Sequence, residues 1–138
     1  MSDPVVNAPV EQDGSRHKIR VMVVEDDPDT RSGLGQRLRH DSFEPMYAED
    51  VPGAVRMARL RRPDVIILDL GLPGGDGYLF MERLRSMPEL AEIPIMVLSA
   101  REPTVERRRV LEAGAVAFYQ KPMRSGALKL AVMRALGA

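Results

Sequence analysis

Polar side chains follow several apolar segments of the sequence, at the points where those segments end. Val65 to Leu68 is an unbroken, mostly β-branched run that ends in Asp69, and such a run is typical of a strand buried on both faces of a parallel sheet. In open α/β sheets, ligands bind at the carboxyl ends of the strands. We therefore expect the polar residues after these runs to converge at one sheet edge; they are Glu25, Asp26, Asp69, Ser99 and Lys121.

The types of these residues suit phosphoryl chemistry with a divalent cation. Three carboxylates close together repel one another unless a cation holds them, and a few hard oxygen ligands suit Mg²⁺. A carboxylate held in this way can accept a phosphoryl group covalently. The cation, Lys121 and Ser99 would then neutralise the charged oxygens of the transferred group.

Each residue also has an ordinary structural explanation. Lys121 precedes Pro122 and could be a solvated turn residue, Ser99 could cap a helix, and Glu25 could be a surface acid. Together they favour a functional site, because titratable groups gathered in a cleft are characteristic of one. Asp27 is different: it precedes Pro28, and Asp before a helix-starting Pro is expected to cap that helix.

The pattern of apolar segments predicts the elements that position these residues. Five strands alternate with five helices, which predicts a parallel sheet covered by helices on both faces. Pro45 favours an edge position for the second strand. The predicted strands are 18–24, 43–48, 65–68, 93–98 and 115–120, and the helices are about 28–39, 51–61, 77–87, 104–113 and 125–136.

The apolar stripes of the helices predict which side chains are buried. On the second helix the inner stripe is Val51, Ala54, Val55 and Ala58, and on the last helix it is Leu128, Ala131, Val132, Ala135 and Leu136. Leu130 and Met133 lie off the stripe of the last helix and are expected to face outwards. The fourth helix has the thinnest stripe, interrupted by Arg107 to Arg109, so it should move most readily.

Composition excludes several classes of protein. The 138 residues fit one domain, and 20 basic residues balance 20 acidic ones, which argues against a whole-domain grip on DNA or anionic membrane. The absence of Cys excludes disulfides, and a zinc site is not expected because His17 and His40 lie outside the acidic set. No apolar run has the length of a membrane span, so a cytoplasmic location is expected. We expect a disordered tail over 1–16 and a folded domain over 17–138.

Five motifs, in order, carry a family resemblance. They are Val23-Val24-Glu25-Asp26-Asp27-Pro28, Leu68-Asp69-Leu70-Gly71-Leu72-Pro73-Gly74-Gly75-Asp76-Gly77, Leu98-Ser99-Ala100, Gly114-Ala115 and Lys121-Pro122. The sequence resembles the receiver domain of bacterial two-component response regulators. The resemblance implies a flavodoxin-like, doubly wound five-stranded parallel sheet of order 2-1-3-4-5 with five helices.

The resemblance also implies a role for each site residue. Asp69 would be the phosphoacceptor, with Mg²⁺ held by Asp26 directly, by Glu25 mainly through water, by Asp69 and by the Gly71 carbonyl. Ser99 and Lys121 would bind the phosphoryl group, and Ser99 and Phe118 would form the switch. Such a domain catalyses its own phosphorylation and dephosphorylation and is not a conventional enzyme.

The implied partners are proteins. The phosphoryl donor would be a sensor histidine kinase or a histidine phosphotransfer protein. A downstream target would bind the face formed by the fourth helix, the fifth strand and the fifth helix, with no direct nucleic-acid or membrane contact. The resemblance is to a stand-alone, chemotaxis-type arrangement, and a trimmed output domain is the alternative.

The sequence departs from the family pattern at two places, and three other functions are compatible with parts of it. Phe118 stands where Tyr is frequent, and Val116 and Ala117 replace a pair of acids that serves dimers of the transcription-factor branch. One other function is a constitutive binding module without phosphotransfer. A second, an aspartate-nucleophile phosphatase, would need an acid at Gly71. The third, DNA binding through Arg107 to Arg109, is weaker than a solvated helix face at zero net charge.

Overall fold

The computed structural model describes residues 18–72, 77–100 and 102–137, in which five strands alternate with five helices. The predicted tail over 1–16 and the start of the domain at residue 17 lie outside these residues. The strands are β1 Arg20–Val24, β2 Glu44–Ala48, β3 Val65–Leu68, β4 Ile95–Ser99 and β5 Ala117–Gln120. The helices are α1 Pro28–His40, α2 Val51–Leu60, α3 Gly77–Arg85, α4 Pro103–Glu112 and α5 Ser125–Ala135.

The five strands form one parallel sheet of order β2-β1-β3-β4-β5. The predicted fold class and strand order are therefore confirmed. Pro45 lies in β2 at the edge of the sheet, where a missing backbone N–H is tolerated. The chain passes from β1 to an outer strand and then back to β3, so the crevice between β1 and β3 is the switch point of the sheet.

Four of the five strands differ from their predicted bounds: β1 begins two residues later and β2 one residue later than expected, and β4 and β5 differ as well. β4 was expected over 93–98 and runs from Ile95 to Ser99, because Ser99 still pairs in register with Gln120 of β5. Ile93 is buried before the strand, and its N–H donates to the carbonyl of Leu90. β5 was expected from residue 115 and begins at Ala117.

Alternate residues of the strands supply two separate cores, as the two-residue period of a strand requires. One core lies between the sheet and α2, α3 and α4, and contains Val24, Leu68, Val97 and Phe118 from the strands. The other lies between the sheet and α1 and α5, and contains Val23, Ile67 and Leu98. Both faces of the central strands are therefore buried.

The helix ends follow from local side-chain chemistry. Asp27 caps α1, since its carboxylate accepts hydrogen bonds from the N–H and the hydroxyl of Thr30, and these bonds lower the pKa of Asp27. Asp50 caps α2 by accepting from the N–H of Gly53. Gly114 follows α4 with a φ of +115°, a conformation that favours glycine.

Two predictions about burial were wrong. Met133 is partly buried and packs against the α1–α5 core instead of facing outwards. Val55 and Ala135 pack against the cores as predicted, although they are only partly buried. Leu136 is 36% exposed because it lies just beyond the end of α5. Leu130 does face outwards, with 58% exposure. Of the α4 side chains that the structure describes, only Glu106 and Val110 are buried, as its thin apolar stripe predicts.

Two glycines in α1 test how closely this helix packs on β2. A Cβ atom on Gly33 would meet nothing within 4 Å, whereas one on Gly35 would lie 2.8 Å from Cζ of Tyr47. Gly33→Ala should raise the free energy of unfolding by about 0.5–1 kcal/mol, because Ala favours the helix. Gly35→Ala gains the same helix stabilisation but must displace the Tyr47 ring, which should lower the free energy of unfolding by about 1–3 kcal/mol.

Urea unfolding of the two variants measures this difference directly. Each variant is the control for the other, since both replace glycine by alanine within the same helix. Equal stabilities, or a more stable Gly35→Ala variant, would contradict the close contact between α1 and Tyr47.

Candidate functional site

Backbone register places the candidate residues at the carboxyl edge of the sheet. Val24 and Leu68 are paired in register, so Glu25 and Asp69, the next residues of β1 and β3, are neighbours. The N–H of Asp69 donates to the Val24 carbonyl at 3.0 Å. The N–H of Lys121 donates to the Ser99 carbonyl at 2.8 Å. The edge is therefore fixed by main-chain bonds between successive strand ends.

Three carboxylates converge at this edge. One oxygen from each of Glu25, Asp26 and Asp69 lies within 4.8 Å of the other two. Glu25 is buried, Asp69 is half-buried and Asp26 is exposed, so the cluster opens to solvent on the Asp26 side. The backbone of Gly71 lies beside it, since a Cβ atom there would be 3.8 Å from Oδ2 of Asp69. A few oxygen donors with open positions are the donor set that suits Mg²⁺.

Among the residues that the structure describes, Lys121 is the one that contributes an ammonium group to this cluster. Its Nζ donates to Oε1 of Glu25 at 2.7 Å and lies 3.7 Å from Oδ1 of Asp69. Lys121 follows β5, and its peptide bond to Pro122 is cis. The ion pair therefore joins the carboxyl ends of β1 and β5, which are separated by β3 and β4 in the sheet.

The pKa values of the pair reflect burial and mutual charge. Burial raises the pKa of Glu25, and the hydrogen bonds from Lys121 and from the Asp27 N–H only partly offset this effect. Burial by itself would lower the pKa of Lys121, but the hydrogen bond to Glu25 and the charges of Asp69 and Glu25 outweigh it and raise the pKa. The ammonium is therefore firmly held in its charged form.

Ser99 and Phe118 lie beneath this edge. Ser99 is the last residue of β4 and is 2% exposed. Phe118 pairs in register with Val97 of β4, and its ring is buried in the α2–α4 core. Of the predicted site residues, Glu25, Asp26, Asp69 and Lys121 are brought into one cluster, Ser99 and Gly71 border it, and Phe118 lies on the core side of the sheet.

Two features of the site were not predicted. The Nη1 atom of Arg31, on α1, donates to the backbone carbonyl of Glu25 at 2.9 Å and to that of Asp26 at 3.5 Å, and so holds the loop that carries the acids. A basic residue in the first turn after the acids was the only signal for this contact. The burial of Glu25 was also missed, because it depends on Lys121, 96 residues away in the sequence.

The contacts of α4 with α3 were missed as well. The hydroxyl of Tyr78 donates to Oε1 of the buried Glu106 at 2.9 Å. The guanidinium of Arg109 lies 4.2 Å from the centre of the Tyr78 ring. Arg109 is therefore not simply part of a solvated face, as the sequence suggested, but helps to join the two helices.

Comparison with known proteins places this architecture in a family. Residues 21–133 match the response regulator receiver domain. The KDP operon transcriptional regulatory protein KdpE of Escherichia coli is 38% identical over 116 residues, which cover 84% of this chain and 50% of that protein. The chain thus spans about half the length of the curated relatives it matches.

Solved structures agree with the sequence matches. The chemotaxis response regulator CheY4 of Vibrio cholerae has a TM-score of 0.80 at 26% identity, covering 86% of this chain and 99% of that one. The receiver domain of sensor histidine kinase PA1611 from Pseudomonas aeruginosa, described with a magnesium ion coordinated in its active site cleft, has a TM-score of 0.80 at 28% identity, covering 89% and 100%.

None of the helices in the described part of the chain could span a membrane. The matched residues run from β1 into α5 and include the whole acidic edge. This chain belongs to the response regulator receiver domain family.

Proposed function

We propose that this domain is a phosphorylation-activated switch that accepts a phosphoryl group on Asp69 from the phosphohistidine of a sensor histidine kinase or a histidine phosphotransfer protein. The observation that carries the proposal is the cluster itself. Three carboxylates lie within 4.8 Å, and an ammonium lies 3.7 Å from Oδ1 of Asp69. The proposed location of the switch is the cytoplasm.

Asp69 is the proposed nucleophile because it is the only acid of the cluster at the end of the most buried strand. One of its carboxylate oxygens attacks phosphorus while the bond from phosphorus to the donor imidazole nitrogen breaks. The electron pair of that bond stays on the imidazole, and Asp69 becomes an acyl phosphate. Attack of water on the same phosphorus later returns free phosphate and the carboxylate.

Glu25, Asp26, Asp69 and the Gly71 carbonyl are the proposed Mg²⁺ ligands, with Glu25 acting mainly through water. Their oxygen-only donor set and the open position on the Asp26 side support this assignment. When bound, Mg²⁺ would supply positive charge next to the oxygens of the transferring group.

Lys121 and Ser99 are the proposed protein ligands of the phosphoryl group. In the structure Lys121 contacts Glu25 at 2.7 Å and Asp69 at 3.7 Å, so it needs to move only a short distance to meet a phosphoryl oxygen on Asp69. The main-chain bond between Lys121 and Ser99 supports a shared response of the two strand ends.

The signal is proposed to leave through α4, β5 and α5. The Phe118 ring is already buried, at 2% exposure. Movement of Ser99 would therefore act on α4 through a buried ring and would not first have to draw that ring inwards. The target is proposed to be a protein, and Leu130, at 58% exposure on α5, supports a contact there.

The first prediction is that Asp69 is the sole acceptor. Acetyl phosphate with Mg²⁺ should add one phosphoryl group, seen as a single mass increase of the intact protein. Asp69→Asn should add none, because an amide oxygen is a poor nucleophile toward phosphorus. Labelling of the variant at Asp26 would contradict the assignment, and absence of labelling in the unaltered protein would favour a constitutive binding module.

The second prediction separates two adjacent acids. Asp26→Ala should abolish Mg²⁺ binding, whereas Asp27→Ala should retain it and lower the free energy of unfolding through the lost helix cap. Fluorescence or NMR titration with Mg²⁺ measures the binding.

The pKa of Asp27 is lowered in the folded state, so the stabilisation from its carboxylate is present at neutral pH and lost as pH falls through that lowered pKa. The stability gap between the unaltered protein and Asp27→Ala should therefore shrink in acid.

The third prediction concerns the output face. Beryllofluoride, a phosphoryl mimic, should shift the NMR resonances of residues 104–113, Phe118 and Leu130 as well as those around Asp69, since only two of the described α4 side chains are buried. Asp69→Asn treated in the same way is the matched control. Shifts confined to the surroundings of Asp69 would exclude an output through this face.

A further inference from the structure

The outer side of α2 carries a second stripe that the phosphotransfer site does not use. Apart from the buried stripe of Val51, Ala54 and Ala58, residues at i, i+3, i+4, i+7 and i+8 spacing line a groove of about 540 Å³ beside α3. This spacing places them on one face of the helix. The lining residues are Pro52, Val55, Arg56, Arg59 and Leu60 of α2 and Arg83 of α3.

Apolar side chains are unusually exposed along this groove. Leu60 is 73% exposed, the highest value among the large hydrophobic side chains of the described residues. Leu79, one turn before Arg83 on α3 but not among the residues that line the groove, is 36% exposed. Val55 is half-buried and joins the groove to the core. The apolar lining of the groove, here called its floor, is flanked by arginines. An exposed apolar surface bordered by charged side chains is typical of a binding surface.

The three arginines of the groove differ from their neighbours. Arg61 bonds to the Glu44 carboxylate at 2.6 Å, and Arg62 donates to the carbonyl of Glu89 at 3.2 Å. By contrast, the guanidinium groups of Arg56, Arg59 and Arg83 make no ion pair or hydrogen bond within the described part of the chain. Their positive charge is uncompensated at the rim of an apolar groove.

We propose that the α2–α3 groove is a docking site for an acidic, amphipathic segment of a partner protein. The segment's apolar side chains would cover Leu60 and Val55, and its carboxylates would pair with Arg56, Arg59 and Arg83 in the forked geometry that arginine offers. None of the lining residues belongs to the acidic cluster around Asp69. The site therefore adds a contact to the proposed switch that does not require phosphorylation.

The charge and shape of the groove favour this occupant over others. A second copy of the chain in symmetric contact would set arginines against arginines, because a two-fold interface pairs the same surface with itself. Duplex nucleic acid and flat anionic membrane would leave the apolar floor between the helices uncovered. An amphipathic segment satisfies both the apolar floor and the cationic sides.

A labelled synthetic peptide tests the site. A peptide of about 12 residues with Leu at i, i+3, i+4 and i+7 and Glu elsewhere spans about 18 Å as a helix, enough to cover the 10 residues of α2. Fluorescence anisotropy should show that the peptide binds to the domain. Binding should also shift the NMR resonances of residues 52–60 and 79–83. A peptide with Gln in place of Glu is the charge control and should bind about tenfold more weakly.

Variants of the full chain locate the binding. The triple variant Arg56→Gln, Arg59→Gln, Arg83→Gln should lose about tenfold in affinity, and Leu60→Ser should lose several-fold. The matched control is the triple variant Arg107→Gln, Arg108→Gln, Arg134→Gln, which removes three exposed arginines outside the groove and should bind as before. Asp69→Asn and added beryllofluoride should leave the affinity within about twofold, so this test is independent of phosphotransfer.

Several outcomes would overturn the proposal. The proposal would be wrong if the peptide did not bind, if both triple variants lost the same affinity for it, or if the NMR shifts spread over α4 and α5. Tighter binding of a DNA duplex, or of phosphatidylglycerol vesicles, through the same three arginines would replace the protein partner by that ligand. Concentration-dependent dimerisation that the groove variant abolishes would replace it by a second copy.

Discussion

The buried ion pair between Glu25 and Lys121 is the interaction on which the rest of the acidic edge depends. Glu25 is 3% exposed, and a carboxylate removed from water to that extent is unstable unless it is paired and hydrogen-bonded. Lys121 donates to Oε1, and the N–H of Asp27 donates to Oε2. Without the ammonium, Glu25 would face the Asp69 carboxylate with no cation between them. The pair therefore permits acids from β1 and β3 to lie side by side.

The same pair sets the charge of the site. Three carboxylates against one ammonium leave two negative charges at the edge, which matches the charge of one divalent cation. Such an edge attracts a cation and, once the cation is bound, no longer repels an anionic phosphoryl group. Because Lys121 lies at the end of β5 and Glu25 at the end of β1, the order of the strands in the sheet is needed to bring these charges together.

The sequence was sufficient for the sheet and for the residues at its carboxyl edge, but not for their contacts. The short, mostly β-branched run ending in Asp69 indicates a buried parallel strand, and the order of strand ends follows from the fold class. The helix cap at Asp27 was equally predictable, because a cap depends on residues three positions away. The burial of Glu25 depends on a residue from the other end of the domain, so no local pattern could predict it. Met133 was misplaced because helical spacing gives a direction but not the width of the neighbouring core.

The packing of α4 gives a physical reason why this helix can respond to the site. Of its described side chains only Glu106 and Val110 are buried, and its contacts with α3 are largely polar: Tyr78 with Glu106, Arg109 over the Tyr78 ring, and Arg85 with the Ala113 carbonyl. A hydrogen bond contributes about 0.5–1.5 kcal/mol net and an exposed cation–π contact about 0.5–1 kcal/mol, whereas each fully buried Leu or Phe side chain contributes about 1.5–3 kcal/mol. Polar contacts can also be exchanged for water or for new partners, while an apolar side chain withdrawn from a core leaves a cavity. A helix held in this way can have two positions of similar free energy, which is the property that the proposed switch through Ser99 and Phe118 would require of α4.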